Sequence, residues 1–255
     1  MKRVLTALIL IPIVMCAVIW GPPWLVFAMV TLVAMLCYRE YCGIAAGYGV
    51  ARLGPVGFAA GLGVLALPDN GSIFLTVVAL AAISLAMRSE ELAEVLPRAS
   101  TMLLGVVYIF GAWKCGLQLR DTSPYWLLFA LAINWVGDTG AYYVGKNIGM
   151  HKLAPRVSPG KSWEGALASV VSAMAFGVFY LRHFFPQMSI AETVAVSGLA
   201  NISGQLGDLA ESALKRGAGV KDSGTLLPGH GGMLDRVDSA LFTMPVVYVY
   251  LRLMK

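Results

Sequence analysis

Five acids and four bases fall between Asp208 and Asp238, in a chain where only 13% of residues are charged. Spacing gives them geometry. Asp208, Ser212 and Lys215 stand at i, i+4 and i+7, one face of a helix. Asp235 and Asp238 stand at i and i+3, one face of the next helix. Two helices thus offer three carboxylates, Asp208, Asp235 and Asp238, as ligands for a hard cation such as Mg²⁺. Without a cation, three close carboxylates repel and raise one another's pKa values. Between the helices lie Gly217, Gly219, Gly224, Gly229, Gly231 and Gly232, whose backbone N–H groups can approach an anion closely. Lys215, Arg216, Lys221 and Arg236 surround them with positive charge. Acids, bases and glycine-rich backbone in one stretch suit a metal-bound polyphosphate. His230 either contacts phosphate or caps a turn.

A second cluster precedes it. Asp138 sits inside an apolar run, where an acid is costly and usually functional. Arg156 and Lys161 follow as phosphate candidates. Ser158-Pro159-Gly160-Lys161-Ser162 superficially looks like a phosphate loop, but it lacks the first glycine of G-x-x-x-x-G-K-[ST] and no strand is expected before it. Ser162 with Glu164 and Gly165 reads instead as a helix start. His151 and His183 are isolated surface residues. Lys114 lies in an apolar run, where it snorkels, pairs with an acid or serves structure. Glu90, Glu91 and Glu94 read as a solvated turn. Cys16, Cys37, Cys42 and Cys115 show no metal or disulfide spacing.

The elements that must hold these residues are apolar. Of 255 residues, 58% are hydrophobic, and mean hydropathy is +0.74. Apolar runs recur throughout, so the expected fold is all-α: a polytopic helical integral membrane protein with about nine spans. We place them near 4–20, 24–38, 53–67, 72–87, 101–119, 124–144, 165–181, 190–207 and 237–254. The second and third are the least secure. No small-residue cleavage site follows Trp20, so the first run reads as an uncleaved span rather than a signal peptide. With a cytoplasmic N-terminus, 14 of the 19 basic residues fall on the cytoplasmic side and 4 outside. Loops 145–164 and 208–236 are separated by two spans and so share that face. The chain reads as one membrane domain, 1–255, with largely scaffold spans in 1–100 and the catalytic portion in 124–255. No basic stripe carries interleaved aromatics, which argues against nucleic acid and leaves an anionic lipid surface or substrate as the partner.

The run S-x-x-K-R-x4-K-D-x-G-x3-P-G-H-G-G-x2-D-R-x-D, from Ser212 to Asp238, resembles the signature of the phosphatidate cytidylyltransferases, or CDP-diacylglycerol synthases. The segment from Gly137-Asp138-Thr139 to Ser162-Trp163-Glu164-Gly165 is similar to a second block of that family. The first hundred residues resemble it only in hydropathy. The resemblance implies that CTP and phosphatidate react, with Mg²⁺, to CDP-diacylglycerol and pyrophosphate. It implies a homodimer in a bacterial-type cytoplasmic (inner) membrane, with its site open to cytoplasm and bilayer. By motif position, Asp208, Asp235 and Asp238 would bind Mg²⁺ and a second cation, with Ser212 and Lys215 beside them. Lys215, Asp235 and Asp238 would act in catalysis. Ser212, Arg216, Lys221, His230, Arg236, Lys161 and Asp138 would bind substrate.

Three rival readings exist. A CDP-alcohol phosphotransferase would carry Asp-Gly-x-x-Ala-Arg, which does not occur. A polyprenol kinase also pairs CTP with a membrane alcohol, and its products, lipid phosphate and CDP, differ. A secondary transporter would place its charges at the bilayer midplane and show a repeat; these charges gather at one face, and no repeat is visible.

Overall fold

Proline at a helix start costs nothing, because its missing N–H has no intrahelical partner there. Two of the longest helices begin this way. A computed structural model of the chain describes residues 12–50, 54–67, 71–226 and 231–254. Helix α1, in its described part 12–20, leads to α2 (Pro23–Gly47), α3 (Gly54–Ala66) and α4 (Gly71–Ala86). A helical rod follows: a 3-10 turn at Leu92–Glu94, α5 (Val95–Gly105), a π-turn at Val106–Gly111 and α6 (Ala112–Thr122). Then come α7 (Pro124–Ile148), strands β1 (Lys152–Ala154) and β2 (Ser158–Ser162), α8 (Trp163–Phe184), α9 (Ile190–Gly217) and α10 (Leu234–Leu253).

The all-α expectation holds, with one small departure: β1 and β2 pair antiparallel, Lys152 opposite Ser162 and Ala154 opposite Ser158. The nine-span count is not reproduced. Among the described residues, Pro23–Gly47, Leu92–Thr122 and Trp163–Phe184 are long and apolar enough to cross a membrane. Helix α3 has 13 residues, about 20 Å of rise against a hydrocarbon core of about 30 Å. Helices α7, α9 and α10 have 25, 28 and 20 residues, and they carry Asp138, Asp208 and Asp235. Residues 4–11 of the first expected span lie outside the described residues, as does His230.

Internal contacts divide the chain into two compact units. The first holds Met1–Val26, Cys115–Ala213 and Val237–Lys255. In it α8 runs antiparallel to α7: Tyr125 stacks on Phe184 at 4.0 Å, and the Tyr180 hydroxyl donates to Tyr125 O at 2.9 Å. Small residues let these helices approach. A Cβ on Gly137 would stand 2.2 Å from Asn201 Nδ2 and 2.6 Å from Ser169 Oγ. Polar side chains then bond across the contact, as apolar surroundings require. Ser169 Oγ donates to Asn201 Oδ1 at 3.1 Å, and Thr243 Oγ1 donates to Asn134 Oδ1 at 3.1 Å. Gly207 brings α10 close to α9: a Cβ there would meet Asp238 O at 2.7 Å.

The second unit holds Phe27–Lys114 and Leu214–Arg236. Its core is aromatic, with Tyr38 set edge-on to Phe58 at 4.9 Å and tilted on Phe110 at 5.4 Å. Lys114 serves structure here: its Nζ donates to Leu65 O at 3.1 Å and Leu67 O at 2.8 Å, capping the carbonyl end of α3. Helix α2 runs past the expected end at Tyr38 to Gly47, and Glu40 on this extension is buried. The Glu94 carboxylate pairs with Arg98 one turn on, at the surface rather than free in solvent.

Candidate active site

The first unit contains a cavity of about 350 Å³ whose charged lining comes from three elements. Helix α7 supplies Asp138 and Lys146, strand β2 supplies Lys161, and α9 supplies Asp208. Its walls are small: Ala141, Gly145, Gly165 and Ala166 face it. Lys161 Nζ lies 2.7 Å from Asp208 Oδ2, and the Ser212 hydroxyl donates to Asp208 Oδ1 at 3.3 Å. Asp138 is repelled by Asp208 and attracted by Lys161. Lys161 thus supplies the positive charge that two neighbouring carboxylates need.

Local folding explains why Lys161 points there. Ser162 Oγ accepts from Gly165 N at 3.2 Å, which caps α8 as its sequence predicts. Trp163 N donates to His151 O at 2.9 Å, and His151 N donates to Glu164 Oε1 at 3.2 Å. His151 Nδ1 also lies 2.5 Å from Glu164 Oε1. These bonds fasten the hairpin to the start of α8, so β2 carries Lys161 as a fixed arm. The strand was not expected, because Pro159 and Gly160 are poor strand formers. It does not make a Walker loop, since β2 runs straight into the Ser162 cap of α8 with no glycine-rich loop between strand and helix.

The second unit holds the other half of the signature. Lys215 Nζ lies 2.5 Å from Asp235 Oδ1, and the two side chains are 11% and 8% exposed. Asp235 Oδ2 accepts from Gly232 N at 2.7 Å and Ser223 N at 2.9 Å. Burial raises the Asp235 carboxyl, but Lys215 and these two N–H groups outweigh it and hold it below the usual carboxylate range. Gly231 is required here: its φ is +78°, and a Cβ would stand 2.5 Å from Asp235 Oδ2.

Sequence reasoning missed Glu40. Its side chain, 8% exposed, accepts from the Ser223 hydroxyl at 2.8 Å, Met233 N at 2.9 Å and Leu234 N at 2.8 Å. The only available signal was an acid within an apolar helix. The loop therefore differs from the anion cradle expected. Four of its backbone N–H groups, at Ser223, Gly232, Met233 and Leu234, already serve carboxylates. Arg216, Lys221 and Arg236 are exposed. Asp238 Oδ1 accepts from Ser239 N at 2.7 Å. Among the described residues, no three His, Cys, Asp or Glu side chains gather so as to hold a metal ion. The cavity's donor set, two carboxylates with phosphate and water to complete a shell, still fits a hard cation such as Mg²⁺.

Apolar helices and a cavity lined by paired carboxylates and lysines define a class, the helical membrane protein with a charged site. The chain belongs to the cytidylyltransferase family, whose model matches residues 1–254. It is 41% identical over 154 residues to a phosphatidate cytidylyltransferase of Bacillus subtilis (strain 168), covering 59% of this chain and 57% of that protein. It is 39% identical over 153 residues to the Staphylococcus aureus (strain COL) protein of the same name, covering 60% and 59%. For that of Staphylococcus haemolyticus (strain JCSC1435) the identity is 38% over 153 residues, with the same coverage. The chain thus spans less than two thirds of the length of these relatives.

Proposed function

We propose that the protein transfers CMP from CTP to phosphatidate, giving CDP-diacylglycerol and pyrophosphate. The observation that carries this reading is the cavity lined by Asp138, Asp208 and Lys161, with Lys161 paired to Asp208, on a chain that belongs to the cytidylyltransferase family. Asp208 and Asp138 would hold Mg²⁺, with Asp238, beside Gly207, as the third carboxylate. Bound there, the cation would neutralise the phosphoryl oxygens under attack and the departing pyrophosphate. Lys161 and Lys146 bind phosphate oxygens, Lys161 turning from Asp208 to the nucleotide. An oxygen of the lipid phosphate attacks the α-phosphorus in line, and the bond to the β-phosphate oxygen breaks. The lipid phosphate is already ionised near neutral pH, so no strong general base is needed. Asp235, whose oxygens are taken by Lys215 and the loop, acts on the loop rather than on the cation. Arg216, Lys221 and Arg236 attract the anionic substrates.

The finer topology belongs to the same proposal. Nine spans with the site on the cytoplasmic face of an inner membrane are supported by the bias of basic residues. A homodimer rests on the family resemblance alone.

The test is purified full-length chain in detergent, given labelled CTP and phosphatidate with and without Mg²⁺. CDP-diacylglycerol and pyrophosphate are expected only with Mg²⁺. Lipid phosphate and CDP from a polyprenol would establish the kinase reading instead, and no product from folded protein would overturn both. Asp208→Asn and Lys161→Ala should each lose on the order of 100-fold in kcat, whereas His183→Ala should keep activity.

A further inference from the structure

We infer that Glu40, on a helix with no signature residue, is the positioning residue of the signature loop. The inference about its effect on turnover rests on the function proposed above; the inference about loop order does not.

Three contacts carry it. Met233 N and Leu234 N, at the start of α10, both donate to the Glu40 carboxylate, at 2.9 and 2.8 Å. A helix start leaves N–H groups without intrahelical partners, and a nearby side chain of the preceding segment usually accepts them. Here the acceptor comes from α2, 194 residues away in sequence from Leu234. Its negative charge also suits the positive end of the α10 dipole. The third contact, from Ser223 Oγ at 2.8 Å, ties in the far side of the loop. Ser223 N and Gly232 N in turn hold Asp235 Oδ2, and Asp235 Oδ1 holds Lys215. Glu40 therefore fixes both strands of the loop that fix Asp235, and through Asp235 the Lys215 ammonium. The fit is close: a Cβ on Gly232 would stand 2.3 Å from Glu40 Oε2, and one on Gly224 would stand 2.8 Å from Glu40 Oε1.

The turn that follows α2 grips the start of the loop as well. The Tyr48 hydroxyl donates to Leu214 O at 2.9 Å, and a Cβ on Gly217 would stand 1.9 Å from that hydroxyl oxygen. A segment that reads as scaffold thus holds Leu214, Ser223, Met233 and Leu234, through Glu40 and Tyr48.

The experiment uses the full-length protein in detergent, with Glu40→Ala, Glu40→Gln and Ser223→Ala. Amide hydrogen exchange is read on the stretch 222–236 and, as reference, on 163–184 in α8. Turnover is read as kcat and KM for CTP. In Glu40→Ala, exchange over 222–236 should rise at least about tenfold while α8 is unchanged. Its kcat should fall roughly 100-fold with KM for CTP little altered, since Lys215, to which the signature resemblance gives a catalytic role, loses its fixed position. Glu40→Gln, which keeps one accepting oxygen, should recover part of both losses. Should Glu40→Ala fail to fold, Ser223→Ala must show the same local loss on a smaller scale. Unchanged protection over 222–236, or exchange rising equally in α8, overturns the inference, as does a Glu40→Gln variant no better than Glu40→Ala. Should wild-type protein make no CDP-diacylglycerol while the exchange pattern holds, the proposed function fails and the positioning role stands.

Discussion

Lys215 and Asp235 show what one pair of charges costs and contributes. Both are nearly buried, at 11% and 8% exposed. Removing one leaves the other uncompensated, at a cost of about 3–5 kcal/mol. Lys215→Met should therefore destabilise the protein by about 3 kcal/mol, and adding Asp235→Asn should recover part of that loss; unfolding in detergent measures both. The same pair sets an acid dependence. The Asp235 carboxyl is held below the usual range, so its contribution is complete above the unfolded value of about 3.9 and is lost as pH falls through its lower folded value. Wild type should lose stability below about pH 4 more steeply than Asp235→Asn, and unfolding curves between acid and neutral pH would show equal slopes if the idea is wrong. At this scale the sequence was informative where charge stood out against apolar neighbours, as at Asp138, Lys161, Asp208 and Lys215. Its one signal for Glu40 was ambiguous, because an acid after an apolar run reads equally as the end of a span. Its burial depends on partners 183 to 194 residues away.

Among elements, the contact of α7 with α8 and α9 depends on small residues. Gly137→Ala would push a methyl into Asn201 and Ser169, at 2.2 and 2.6 Å. Overpacking of this kind costs about 1–3 kcal/mol. The variant should lower the melting temperature, and an unchanged one would mean that the helices part freely. The hairpin depends on its capped junction with α8. Ser162→Ala should cost about 1 kcal/mol and loosen Lys161, so activity should fall further than stability alone explains; parallel losses would argue against a fixed arm. Helix existence was legible nearly throughout, because apolar runs bounded by glycine and proline leave few alternatives. Helix length was not. The expected spans 24–38, 101–119 and 165–181 became Pro23–Gly47, Leu92–Thr122 and Trp163–Phe184, since polar residues at their ends find partners and continue the helix. The hairpin was illegible, because three- and five-residue strands are fixed by the helices they join.

For the whole molecule, hydropathy identified a helical membrane protein, and charge bias proposed its orientation. Single cysteines at Arg156 and Arg182, in a background without the four native ones, test that orientation across α8. Arg156→Cys should react with an impermeant thiol reagent from the cytoplasmic side and Arg182→Cys from the opposite side; labelling of both from one side would sink the topology. The division into two compact units was not visible in sequence, because each is assembled from separated stretches and α2, α6, α9 and α10 each contribute to both. Composition and periodicity describe neighbours along the chain, and that division is a matter of neighbours in space.

The small walls of the cavity bear on pharmacology. Ala141, Gly145, Gly165 and Ala166 leave no bulky side chain there to trim. Any substitution at these four adds volume except alanine to glycine, and a Cβ on Gly165 would already stand 3.1 Å from Ala141 O. A compound that filled this space would thus meet a target with few routes of escape. Resistant isolates should carry changes at the bulkier lining residues Tyr142 or Leu153, and recurrent substitutions at Gly145 or Gly165 would refute that expectation.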